Sequence, residues 1–398
     1  MTGLVFSAFS VVSPIGAGQQ ETLANLRMGH SGLTAKPLIP LPIAAYSGQV
    51  DGLTDSVLPD PWSAYDCRNH RLALRALLQD DLMDAVEGAK RRYHPSRIGL
   101  FLGTSTSGIL ETEQAYRHRD PVTGALPKTL HYAETHNTYA LGRFVREFLG
   151  LQGPSYVIST ACAASAKAFA SAARMIDAGV CDAALVGGVD TLCGTTLFGF
   201  HALGVIAEGP CRPFDAERNG ISIGEGAGFV LLERPHGGHH DRSIRLLGVG
   251  ESSDAYHMSS PHPQGEGARK AMENALHAAG LCAEEIDYIN LHGTATIIGD
   301  AAEDKAVSSL FGKTVPCSSS KGFTGHTLGA SGVLGVIFGA LALRAQFIPG
   351  SPHTRTIDPD FVINYQRIGQ TASVRHVLCN TFGFGGVNCS VILGQAGE

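Results

Sequence analysis

One segment constrains the fold of this chain more than any other, Tyr156-Val-Ile-Ser-Thr-Ala-Cys162-Ala-Ala-Ser165. An extended apolar run breaks at small residues and enters an Ala-rich stretch. That pattern predicts a strand, a tight turn and a helix starting at or just after the cysteine. The same order recurs from Ser318 to Leu343, where small residues lead into an apolar, glycine-containing run. The echo points to two similar halves, although their identity is too low to prove duplication.

A thiol at a helix N-terminus faces the positive end of the helix dipole, which favours its thiolate. The thiolate is the attacking form, so Cys162 is a candidate for covalent catalysis. A small apolar cysteine at such a junction can equally be core filling. The rest of the chain decides between the two.

Strands are expected at Leu4–Val12, Arg97–Gly103, Asp182–Val189 and Phe229–Glu233, then at Ile244–Gly250, Ile286–Leu291, His376–Asn380 and Cys389–Leu393. A helix is expected over Gly267–Gly280. Alternating strands and helices indicate an α/β fold. Pro235-His-Gly-Gly-His-His-Asp241 reads as an exposed loop, dividing the chain into halves 1–241 and 242–398. His239 and His240 within it read as solvated.

The 398 residues suffice for two core-bearing halves. A net charge of -6 offers no general attraction to nucleic acid or to anionic membranes. Nine scattered cysteines without a C-x-x-C pair argue against a disulfide framework and a zinc ribbon. The usage fits a reducing compartment. No basic residue precedes Arg27, so the N-terminus is a poor signal peptide. The longest apolar stretch, Leu328–Leu343, falls short of the roughly 20 residues that span a bilayer, so a buried core helix is expected. Together these point to a cytoplasmic protein with no membrane insertion.

Three further segments carry chemistry-bearing residues. Leu291-His292-Gly-Thr294-Ala-Thr296-Ile-Ile-Gly-Asp300 puts a histidine at a strand end, followed by hydroxyl residues. Ser318-Ser-Ser-Lys321-Gly-Phe-Thr-Gly-His326 flanks a tight turn with a lysine and a histidine. Asn380-Thr-Phe382-Gly-Phe384-Gly-Gly386-Val-Asn388 is a glycine-rich turn between strands. Each has a plain structural reading when taken alone. The chain has no H-E-x-x-H, so no metal site is expected, and no G-x-G-x-x-G between strand and helix.

Taken together, the segments resemble the elongating β-ketoacyl-acyl-carrier-protein synthases, the type I/II condensing enzymes of the thiolase superfamily. Members show T-A-C-A/S-x-S, H-G-T-x-T-x-x-x-D, K-x-x-x-G-H and N-x-F-G-F-G-G-x-N, and all four occur here in order. Cys211–Gly220 with Gly224-Glu-Gly-Ala-Gly228, and Asp254-Ala-Tyr-His-Met-Ser-Ser-Pro261, also fit. The resemblance runs from the first strand to the last. It implies a thiolase-like α/β fold of two pseudo-repeated halves in α-β-α-β-α layers. It also implies decarboxylative Claisen condensation of an enzyme-bound acyl group with malonyl carrier protein.

By that resemblance Cys162 takes up the acyl chain, and the backbone N–H groups of Cys162 and Phe384 bind the oxyanion. His292 and His326 stabilise the charge that develops when the malonyl group loses carbon dioxide. Histidine-assisted attack of water on the malonyl carboxylate is a competing account that the sequence does not decide. Lys321 supports His326, Asp300 and Glu303 support His292, and Phe384 gates the two half-reactions. Thr294 and Thr296 hold the phosphopantetheine arm. No cofactor is implied, because the substrates ride on acyl carrier protein.

Two departures stand out. Gly335 replaces the glutamate that the family usually carries near the lysine. Thr106 stands where an isoleucine often closes the acyl pocket, with Leu197, Phe198 and Phe200 as further pocket candidates. Arg68, Arg71 and Arg75 share one helical face and are candidates for docking an acidic carrier protein. A homodimer, or a heterodimer with a related chain-length partner, fits the family. A coenzyme A-dependent thiolase would need a second cysteine as base near the end of the chain. A non-catalytic partner would typically lack Cys162.

Overall fold

The computed structural model describes residues 3–36, 38–39, 45–236 and 243–395. The expected boundary at 241, and His239 and His240, lie outside the described residues.

A twelve-stranded sheet organises the chain. Its principal strands are β1 (Leu4–Ser13), β2 (Ile98–Gly103), β3 (Ser155–Ile158), β4 (Ala183–Asp190) and β5 (Gly226–Glu233), then β6 (Ile244–Ser253), β7 (Tyr288–Asn290), β8 (Pro316–Ser318), β9 (His376–Gly383) and β10 (Val387–Gln395). Their spatial order is β8-β7-β9-β10-β6-β1-β5-β4-β2-β3. Read outward from the centre, β1-β5-β4-β2-β3 and β6-β10-β9-β7-β8 have the same topology. In each half the first three strands are antiparallel and the outer pairs parallel. The two halves join where Leu4 pairs with Leu246 and Val5 with Arg245. The faint sequence echo is therefore a repeat of topology, in which β3 corresponds to β8 and β2 to β7.

The helices that matter are α1 (Arg68–Leu77), α2 (Leu82–Arg92), α3 (Ala140–Phe148), α4 (Ala164–Asp177), α5 (Gly194–Ala202), α6 (Glu266–Ala279), α7 (Ile297–Phe311) and α8 (Ser331–Ala345). α4 and α8 follow the equivalent strands β3 and β8, and they pack on each other between the halves. α8 is apolar around its whole circumference and is buried from Ser331 to Leu343, as a helix inside two sheet layers must be. α1, α2 and α3 cover one outer face through Leu72, Leu82, Val86 and Phe144. α6 and α7 cover the other through Met272, Ala275, Val307 and Phe311. This is the α-β-α-β-α layering expected of a thiolase-like fold.

Close packing fixes where α4 begins. A Cβ at Gly103 would collide with the backbone of Ser165, so the end of β2 rests directly on the first turn of that helix. The helix starts at Ala164 after an Ala163 cap, just beyond the cysteine.

Candidate active site

Cys162 and His326 occupy corresponding places in the two halves. β3 ends at Ile158, and the chain turns through Ala161 in the left-handed region (φ 49°) before Cys162. For a residue with a Cβ this conformation costs about 1–3 kcal/mol. It presents the thiol just ahead of the α4 N-terminus. β8 ends at Ser318, and a short helical turn, Lys321–Thr324, leads to His326. His292 follows β7. The fourth contribution is the β9–β10 hairpin, whose turn needs Gly385 and Gly386 at φ 84° and 76°. The site thus gathers at strand ends from both halves.

The geometry is tight. His326 Nε2 lies 3.0 Å from Cys162 Sγ. The His292 and His326 rings are 5.3 Å apart and nearly perpendicular. Ligand-type atoms of Cys162, His292 and His326 all lie within 4.8 Å of one another. All three line a cavity of about 480 Å³, together with Thr294, Thr296 and Phe384. Thr294 Oγ1 and Thr296 Oγ1 are 3.3 Å apart on its wall.

Burial dominates the electrostatics. It pushes the Cys162 thiol up to about 11, against the opposing pull of the Phe384 N–H, of Lys321 and of its own N–H. The expected thiolate is therefore a correction: desolvation at this depth outweighs the helix terminus. Burial, then the charge of Lys321, pushes His326 down to about 3 and His292 well below its usual value. The resting site is a neutral thiol beside two neutral imidazoles. Neither ring has a hydrogen-bond partner at Nδ1 among the described residues, so neither is locked into one tautomer.

The supporting carboxylates act on backbone. Glu303 accepts from the N–H of His292 (2.8 Å) and of Gly293 (2.7 Å). Asp300 accepts from the N–H of Phe214 and of Ala295. Burial raises both, Glu303 to about 7 and Asp300 to about 6. Lys321 is buried, and burial lowers its pKa against the pull of Glu303. Gly335 offers only its carbonyl, which accepts from Asn290 Nδ2 at 2.9 Å.

The structure separates the pocket candidates. Phe200 lines the cavity, with its ring 5.6 Å from that of Phe384. Leu197 is buried against Ile221, Ile223 and Leu328, and Phe198 is 43% exposed, so neither lines it. Thr106 does not line it either. Its hydroxyl and N–H both bind Asp190 Oδ1 at 2.7 Å, beside bonds from Thr104 Oγ1 and Ser105 N. That buried carboxylate holds the loop after β2 and gave no signal in the sequence.

The arginine face is also corrected. Arg68 is buried and pairs with Glu225 at 2.6 Å, while also donating to Thr54 Oγ1 and the Val50 carbonyl. Arg71 grips Asp66 at 2.6 Å, and Arg75 donates to the Asp51 carbonyl. Helical spacing does not reveal that Arg68 packs inward while Arg71 and Arg75 stay half-buried. Sequence reasoning also missed Leu203, Asn219, Ile297 and Ile298 on the cavity wall.

Comparisons with known proteins agree with this geometry. Residues 4–236 match the family described as Beta-ketoacyl synthase, N-terminal domain, and residues 244–355 match Beta-ketoacyl synthase, C-terminal domain. The chain is 32% identical to a 3-oxoacyl-[acyl-carrier-protein] synthase 2 of Rhizobium meliloti, over 99% of each chain. It is 37% identical to a mitochondrial 3-oxoacyl-[acyl-carrier-protein] synthase of Arabidopsis thaliana, over 61% of this chain and 57% of that one. Among solved structures it resembles the ketosynthase ApeO in complex with its chain length factor ApeC from Xenorhabdus doucetiae. The TM-score is 0.90, with 36% identity over 99% of this chain and 98% of the other. The ishigamide ketosynthase/chain length factor also matches, with a TM-score of 0.90 and 28% identity over all of both chains.

Proposed function

This chain belongs to the β-ketoacyl synthase family, and we propose on that premise how its residues share the work of a 3-oxoacyl-acyl-carrier-protein synthase. The single observation that carries the assignment of roles is the neutral thiol–imidazole contact at 3.0 Å. Cys162 Sγ attacks the acyl thioester. Its proton passes through His326 to the departing phosphopantetheine sulfur, and the acyl chain stays on Cys162. The N–H groups of Cys162 and Phe384, already turned toward the sulfur, hold the oxyanion.

Malonyl carrier protein then enters the same cavity. Loss of carbon dioxide leaves an enolate whose oxygen lies between His292 and His326. Neutral imidazoles free to carry their proton on either nitrogen can both donate to it. The carbanion attacks the acyl carbon, a carbon–carbon bond forms, and the Cys162 thiolate leaves and takes up one proton from solvent through His326. Glu303 positions His292 through its backbone N–H, and Asp300 holds the following Ala295 and the facing Phe214. Lys321 opposes any protonation of the imidazoles by its charge. Thr294 and Thr296 hold the arm, and Phe384, backed by Phe200, moves between the two half-reactions.

The solved ketosynthases with chain length factors favour one refinement. The chain acts as the catalytic member of a heterodimer with a related chain-length partner in polyketide- or polyene-type synthesis. A cytoplasmic location belongs to the same proposal. The test is to supply acyl and malonyl carrier proteins, with and without such a partner, and to look for a 3-oxoacyl product. Cys162→Ala should abolish that product. Product formed equally by Cys162→Ala would refute the assignment.

A further inference from the structure

Three turns in which a residue with a Cβ takes a positive φ meet around one carboxylate. Ser107 (φ 44°) lies in the loop after β2, Ala161 (φ 49°) precedes Cys162, and Leu328 (φ 50°) follows His326 by two residues. Such conformations persist only where the surroundings over-determine them. The carboxylate is that of Asp190, the last residue of β4, which is fully buried.

Its bonds clamp the loop after β2. Oδ1 accepts from Thr104 Oγ1 and the Ser105 N–H, both at 2.8 Å, and from the Thr106 N–H and Thr106 Oγ1, both at 2.7 Å. Oδ2 accepts from the Ser105 N–H at 3.0 Å. Thr104 Oγ1 accepts in turn from the Ser107 N–H at 3.2 Å, which fixes the first strained turn. Hydrogen bonds to an ionised carboxylate are short and about twice as strong as neutral ones. From this loop the hold passes to the other two turns. The Thr104 N–H donates to the Ile158 carbonyl, at the end of β3, at 3.1 Å, and the Ser105 hydroxyl donates to the Ala161 carbonyl at 3.5 Å. A Cβ at Gly329 would stand 2.7 Å from Asp190 Oδ2 and 2.9 Å from the Ser105 nitrogen, so the backbone after His326 rests directly on the clamp. The cysteine turn and the histidine turn thus bear on one loop, and Asp190 fixes that loop.

We propose that Asp190 is a positioning residue for acyl transfer, which sets the spacing between Cys162 Sγ and His326 Nε2 through the loop Thr104–Ser107. The proposal rests on the ketosynthase reading of the same site. Asp190 does not line the cavity, so it acts through the groups it holds and not on the substrate. Proton transfer from thiol to imidazole needs hydrogen-bond reach. A small shift of either turn lengthens the 3.0 Å contact. A defect in the clamp therefore slows acylation of Cys162 without weakening the binding of the donor.

The experiment follows single-turnover acylation of Cys162 by intact mass, with an acyl carrier protein donor that wild type accepts, in wild type, Asp190→Ala, Asp190→Asn and Gly329→Ala. Asp190→Ala should lower the maximal acylation rate about tenfold, while the donor concentration that gives half that rate stays within about twofold. Asp190→Asn keeps Oδ1, which holds four of the five bonds, and removes the charge, so it separates position from electrostatics. It should recover the rate to within about threefold of wild type. Gly329→Ala presses on the same carboxylate from the histidine turn, and should slow acylation about as much as Asp190→Ala with the half-saturating donor concentration again held. If Asp190→Ala does not fold, the other two variants decide. A wild-type rate in folded Asp190→Ala or in Gly329→Ala, a loss confined to donor affinity, or an Asp190→Asn rate below about a tenth of wild type would overturn the assignment and leave the ketosynthase reading standing. Wild type that takes up no acyl group from any donor would instead remove the ketosynthase reading, and this proposal with it.

Discussion

His326 Nε2 lies 3.0 Å from Cys162 Sγ although the residues are 164 positions apart. Each follows the outermost principal strand of its half, β8 for the histidine and β3 for the cysteine. Duplicated topology, with α4 and α8 packed together between the halves, brings the two strand ends to one place. The thiol and the imidazole are one contact across the repeat.

Because burial holds the Cys162 thiol near 11, its thiolate is scarce at neutral pH. Alkylation of Cys162 by iodoacetamide should therefore climb about tenfold per pH unit through pH 10, without levelling near 8.5 as an ordinary cysteine would. Lys321 pulls the thiol down, so Lys321→Ala should lower the alkylation rate at pH 9. Mass spectrometry of the labelled peptide across pH checks both. A plateau below pH 9 would contradict the buried neutral thiol.

Glu303 accepts from the His292 and Gly293 N–H groups, so Glu303→Gln turns an acceptor into a donor against one of them. The expected cost is about 1–3 kcal/mol of stability. Acylation of Cys162 should persist while malonyl decarboxylation and condensation fall, because only His292 is displaced. Denaturant melts and single-turnover acylation separate these effects. Equal loss of both half-reactions would argue against a role through His292.

Arg68→Ala should destabilise the fold by about 3–5 kcal/mol, because it strands the buried Glu225 carboxylate. Arg75→Ala removes only a half-exposed contact with the Asp51 carbonyl and should cost far less. Urea titration of the two variants is the check. Similar small losses would return the α1 arginines to the surface role that their spacing suggested.

The thiol and two imidazoles, with ligand atoms within 4.8 Å of one another, form a set that zinc would bind. Added Zn²⁺ should inhibit reversibly and more strongly at higher pH, because the thiol must give up its proton and the imidazoles are already neutral. Inhibition curves from pH 6.5 to 8.5, with chelator rescue, test this. Inhibition that weakens as pH rises would refute the protonation states assigned here.

Much of the fold was legible because strand, turn and helix signals near Cys162 and Ser318 are strong and local. The apolar circumference of α8 marked it as buried, and the four motif segments do converge on one cavity. What escaped depended on partners distant in sequence. Arg68 looks like a surface arginine until Glu225 appears beside it, and Thr106 looks like a pocket residue until Asp190 claims its hydroxyl. The helix dipole at Cys162 was a sound local argument that lost to desolvation, which only the packed structure supplies. The exposure of Ile297 and Ile298 was equally invisible, since the sequence does not say which way the first turn of a helix faces.

The central claim is that Cys162 carries the acyl group between two neutral histidines. Its most direct test is intact-mass analysis of wild type, Cys162→Ala and His326→Ala after mixing with acyl carrier protein donors, followed by a chase with malonyl carrier protein. The account predicts one acyl mass on wild type, mapped to Cys162 and cleared by the chase as a 3-oxoacyl product. It predicts no acyl mass on Cys162→Ala and slowed acylation of His326→Ala. An acyl mass on Cys162→Ala, or one on wild type that malonyl carrier protein never clears, would contradict it.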